Sequence, residues 1–89
     1  MITEEELKEI EKRCNQARPA PWKAYIEGRD HESGSSFIMI GEEGEHRGED
    51  IEMFGATIAD YDFIANARQD IPRLINEIRE LKNTTPNNV

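Results

Sequence analysis

The sequence is short of the materials that build a large or cross-linked protein. It has one cysteine, Cys14, in 89 residues. An intrachain disulfide framework is therefore excluded, and a reducing, cytoplasmic setting is the plain expectation. Hydrophobic residues make up only 36%, enough for one small core and one domain. No apolar run approaches the roughly 20 residues that cross a bilayer. The first residues, Met1-Ile2-Thr3-Glu4-Glu5-Glu6, are acidic where a secretory leader is basic. Positive charge is scarce: 11 Lys and Arg face 19 Asp and Glu, a net charge of −8. Long nucleic acids and anionic membrane surfaces are poor partners for such a chain. A local basic pocket for a small anion remains compatible with it.

Catalytic and metal-binding patterns are missing as well. The metal-type ligands Cys14, His31 and His46 fall on a helix candidate and two separate loops, with no ligand spacing among them. Ser33-Gly34-Ser35-Ser36 lacks the Gly-x-Ser-x-Gly frame of a serine nucleophile. There is no phosphate-cradling glycine motif, and Gly41, Gly44 and Gly48 lie in an acidic stretch that repels phosphate. Cys14 shares a stripe with Ile10 and Ala17, which makes it a packing residue. No catalytic residue, metal or cofactor is expected, and the chain reads as a non-enzyme.

What is present suggests an α+β fold in one domain, residues 1–82, with residues 83–89 a disordered polar tail. Residues 3–17 read as a helix. Thr3 and Glu6 form a capping box, and Leu7, Ile10, Cys14 and Ala17 give one narrow apolar stripe. Pro19 and Pro21 stop it. Residues 22–28 alternate, with Trp22, Ala24 and Ile26 on one face, and read as a half-buried strand. Residues 36–40 form a continuous apolar run, as in a central strand. Asp50 to Phe54 alternates again. The pattern predicts a three-stranded antiparallel sheet. Residues 57–69 read as a helix with Thr57 or Asp60 as cap. Asp70-Ile71-Pro72 looks like a restart, so residues 70–83 are a third helix or a kinked continuation. Ile64, Ala67, Ile71, Leu74, Ile78 and Leu81 follow a 3-4-3-4-3 spacing, a stripe that also suits helix packing between subunits.

Three segments carry a resemblance. They are Trp22-Lys-Ala-Tyr-Ile-Glu-Gly-Arg-Asp30, Ser33-Gly-Ser-Ser-Phe-Ile-Met39 and Asp62-Phe-Ile-Ala-Asn-Ala-Arg-Gln-Asp-Ile-Pro72. Together with Arg18-Pro-Ala-Pro-Trp22, the chain resembles a family of small phage and prophage proteins over roughly residues 3 to 82. Arg18 and Ala20 stand where that family usually has Thr and Gly. Its broad group includes viral sponge proteins similar to the Thoeris and CBASS anti-defence proteins. These sequester cyclic nucleotide or cyclic ADP-ribose immune signals without cleaving them.

The resemblance implies a homo-oligomer with nucleotide pockets at subunit interfaces, working in the cytoplasm of the host cell. It implies that Trp22 or Phe63 stacks a base, that Arg29 and Arg68 hold phosphates, and that Asn66 reads a base edge. Ser35 and Ser36 would bond phosphate or ribose oxygens. Two other expectations stand beside it. One is a small acidic protein-binding module or inhibitor that docks on a host protein. The other is a nucleotide phosphodiesterase.

Overall fold

A computed structural model describes residues 1–42 and 48–83. Its elements run helix α1 (Glu4–Gln16), strand β1 (Trp22–Tyr25), strand β2 (Phe37–Ile40) and helix α2 (Ile58–Asn83). The class is α+β, as the sequence predicts. Most of the second polar loop and residues 84–89 of the expected tail lie outside the described residues.

The helix starts follow local chemistry. Thr3 Oγ1 accepts from the Glu6 N–H at 3.1 Å, and Glu6 Oε1 accepts from the Thr3 N–H at 3.0 Å. Thr57 and Asp60 repeat the reciprocal pair at the head of α2. These bonds satisfy N–H groups that the first turn of a helix leaves without partners.

The sheet differs from expectation: it has two antiparallel strands, not three. Trp22 pairs with Ile40 and Tyr25 with Phe37. The third candidate, Asp50 to Phe54, contributes one isolated bridge, Ile51 to Ile38. The cause is a side chain from α2. An extended ladder would next pair Met53 with Ser36. The Tyr61 hydroxyl stands at that rung. It accepts from the Met53 N–H at 3.0 Å, and the Ser36 and Met53 carbonyls lie 3.2 and 3.3 Å from it. One phenol thus meets three of the four backbone polar groups of the missing rung: it accepts from the Met53 N–H and shares its single proton between the Ser36 and Met53 carbonyls.

Of the two alternatives at Asp70-Ile71-Pro72, a separate third helix is corrected and a continuation of the second helix stands. The segment is one helix of 26 residues that runs through Pro72. Proline there cannot donate to the Arg68 carbonyl, a loss on the order of 3 kcal/mol in a helix interior. Anchors on both sides hold the helix through it. Tyr61 and Ala65 are buried before Pro72, and Ile75 after it.

The core follows from these placements. Ala24, Ile26, Ile38 and Ile40 face Tyr61 and Ala65, with Trp22, Ile51 and Met53 at the margin. On the other sheet face Tyr25 stacks on Phe37 at 5.6 Å between ring centres, and His31 lies 5.1 Å from Phe37. Helix α1 packs on α2, where Leu7 and Ile75 are buried. Arg79 spans that contact, reaching Glu11 at 2.8 Å and Glu4 at 3.1 Å.

Tyr61→Phe removes the hydroxyl and leaves the half-buried Met53 N–H without its partner. The expected loss is about 1–2 kcal/mol of unfolding free energy, or roughly 5–15 °C in Tm for a domain this small. Urea and thermal denaturation monitored by circular dichroism measure both.

Candidate functional site

The sequence-predicted residues separate into three groups in space. Trp22 and Arg68 come together. Arg68 Nε donates to the Arg18 carbonyl at 2.7 Å, and Trp22 Nε1 donates to the same oxygen at 3.2 Å. Beside them Gln69 grips the backbone of Trp22. Its Oε1 accepts from the Trp22 N–H at 2.7 Å, and its Nε2 donates to the Trp22 carbonyl at 3.1 Å. The side-chain amide pairs with β1 as a neighbouring strand would. Two adjacent helix residues therefore fix the chain between α1 and the sheet.

Arg29, Asn66, Ser35 and Ser36 form a second group around the turn after β1. Gly28 takes φ +83° there, a conformation that disfavours a side chain. Arg29 is fully engaged by carboxylates. It reaches both Asp62 oxygens at 2.8 and 3.0 Å, and Asp30 Oδ2 through Nε at 3.0 Å and Nη2 at 2.8 Å. Asn66 Nδ2 donates to the Asp62 carbonyl at 2.8 Å. Ser36 Oγ accepts from the Glu27 N–H, and Ser35 Oγ donates to Glu52. One guanidinium between two carboxylates repels a phosphate more than it attracts one. The arrangement ties the turn to α2.

Phe63 stands alone. It is 76% exposed, and five residues along a helix place it about 140° round from Arg68. It cannot serve the Arg68 site of its own chain.

Around Trp22 and Arg68 the fold opens a groove of about 330 Å³. Helix α1 supplies Ile10, Arg13 and Cys14, and α2 supplies Ile64, Ala67 and Ile71 beside Arg68. Among the described residues no carboxylate lines it, in a chain of net charge −8. Arg13 makes no ion pair among the described residues. Sequence reasoning missed Arg13. Its only signal was a place one residue before Cys14, on the edge of the α1 stripe. A larger hollow of about 450 Å³ lies by Arg18, Pro21 and Gly48. The one cation among the described residues that line it, Arg18, already donates to the Glu49 carbonyl at 3.1 Å.

Among the described residues no group of His, Cys, Asp and Glu could hold a metal ion. No described helix is long and apolar enough to cross a membrane.

The Arg29 cluster has a pH signature. Hydrogen bonds from Arg29 hold the Asp62 carboxyl below its usual value. They do the same for Asp30, helped by the Ile26 N–H. A depressed folded value stabilises above the unfolded value, roughly pH 4, and that contribution is lost as pH falls through the folded value. Asp62→Asn should therefore be less stable than wild type at pH 7. The difference should shrink progressively below about pH 4. Urea denaturation at a series of pH values tests this.

No protein-family model, curated protein or solved structure matches the chain.

Proposed function

We propose that this chain is a non-catalytic binding module whose working surface is the apolar face of α2. The observation that carries this reading is the exposure of that face. Leu74 and Leu81 are 58% and 68% exposed, Phe63 is open farther toward the head of the helix, and Ile64 and Ile71 are each 38% exposed. The most regular apolar stripe in the sequence is thus left largely in water. The fold buries Tyr61, Ala65 and Ile75 instead. Contiguous large apolar side chains at a surface favour a protein partner. The acidic remainder of the chain keeps such a surface soluble and opposes nucleic-acid binding.

The test is purification of the tagged chain under native conditions, beside the variant Leu74→Glu/Leu81→Glu. Wild type should elute with a stoichiometric companion, either a second copy or another protein. The variant should elute alone and keep its Tm within a few degrees, since both positions are exposed. A wild-type chain that elutes as a lone monomer overturns the reading.

A second reading is favoured by the groove. An indole, two guanidiniums and an apolar wall suit an anion that carries a planar ring. A cyclic nucleotide or cyclic ADP-ribose signal has that chemistry, and the resemblance in the sequence points to the same class. Among the described residues that line the groove none is a carboxylate or imidazole able to act as general base, which supports sequestration without cleavage. In both readings the protein works in the cytoplasm, where Cys14 stays reduced; for a phage-encoded protein this is the host's.

Calorimetry with cyclic di- and trinucleotides and cyclic ADP-ribose isomers tests the second reading. A ligand should bind, quench Trp22 fluorescence and be recovered intact. Arg13→Ala should weaken it about tenfold or more, the worth of one charge-assisted contact. Arg68 is the wrong residue to change, because it also fixes the Arg18 carbonyl. No heat and no quenching across the panel overturn this reading.

A further inference from the structure

We infer that the occupant of the α2 face is a second copy of this chain, paired through parallel α2 helices. The inference rests on the protein-partner reading and names the partner.

The stripe has the pattern of a two-stranded seam. Ile64, Ile71 and Ile78 recur every seven residues, and Ala67, Leu74 and Leu81 follow three residues after each. In the heptad these are the a and d positions. A β-branched residue at a with leucine at d favours two parallel helices. Helix α2 is unbroken across the whole stripe, which a seam requires.

The flanks decide orientation. On the side next to α1 the flank is basic, with Arg68, Lys82 and the neighbouring Arg13. Lys82 also donates to the Ile2 carbonyl at 3.3 Å. The opposite flank carries Asp70 and Glu77 next to the seam, with Arg73 outside them. Neither acid forms an ion pair among the described residues. A parallel two-fold sets the basic flank of each copy against Asp70 and Glu77 of the other, and Glu77 meets Lys82 by the ordinary g-to-e rule. An antiparallel pair sets like against like, which is unfavourable.

The same rule brings Phe63 of one copy to Arg68 of the other. An aromatic ring against a guanidinium is favourable, and this ring closes the groove beside Trp22. The exposed Phe63 thereby acquires a contact. Two such faces bury on the order of 1,000 Å² in all, the threshold of a specific interface.

Sedimentation equilibrium and site-directed cross-linking test the proposal. The purified chain should sediment as a dimer at roughly tens of micromolar, a concentration that separates a specific interface from a weak encounter. Phe63→Ala should raise the dissociation constant about tenfold, and Leu74→Glu/Leu81→Glu should abolish the dimer. Glu77→Lys should weaken it, and Glu77→Lys/Lys82→Glu should restore it. In a Cys14→Ser background, Leu81→Cys should oxidise to a disulfide-linked dimer, because identical seam positions face each other. In an antiparallel pair centred on the stripe, the two Leu81 positions lie about 25 Å apart. Then only a mixture of Ile64→Cys and Leu81→Cys chains would cross-link, and the parallel arrangement is overturned. A monomer at every concentration overturns the second copy as occupant. If that monomer still elutes natively with a foreign protein that Leu74→Glu/Leu81→Glu releases, the binding reading survives without the dimer.

Discussion

The architecture depends on how α2 holds the chain at residues 18–22. Two strands of four residues make a sheet that is marginal by itself. Arg68 and Gln69 fasten its first residue to the helix through the Arg18 carbonyl and both backbone groups of Trp22. With Trp22 fixed, Ala24 and Ile26 fall onto Tyr61 and Ala65, and β2 follows by pairing. The same clamp places the indole and the guanidinium on one groove. Fold and candidate site therefore share their anchor, and a change at Arg68 or Gln69 disturbs both.

The features legible in the sequence are those decided within a few residues. The Thr3–Glu6 box, the alternation of Trp22, Ala24 and Ile26, and the apolar run into Ile40 all rest on local chemistry, and all three stand in the structure. The third strand failed because its competitor is remote: Tyr61 lies eight residues beyond Met53 and 25 beyond Ser36. No periodicity shows that a phenol will take a strand's rung. At Asp70-Ile71-Pro72 the sequence leaves a separate helix and a continuation both open, and the continuation holds for a related reason. Local rules favour a break, and burial of α2 on both sides of the proline outweighs them.

The site shows the same division. Trp22 and Arg68 do meet, 46 residues apart in the chain. Arg29 reads as a phosphate holder from residue type, yet its charge is answered by Asp62, which is 33 residues away. Arg13, near the C-terminal end of α1, lines the groove, and nothing local to it in the sequence distinguishes it from an ordinary basic residue at a helix end. The heptad stripe was legible in full. Its exposure was not, because period alone does not say which of two apolar faces a helix buries.

Tyr61 and Gln69 also govern how this protein is able to meet other molecules. A short sheet with open borders is a template on which further strands can add and polymerise. Here the border at Trp22 is occupied by the Gln69 amide, and the border at Ile38 by Ile51 and the Tyr61 hydroxyl. At these positions the backbone groups that would recruit a foreign strand are already spent. Growth along the sheet is closed off there, and contact is directed toward the helical side, where shape and charge discriminate between partners.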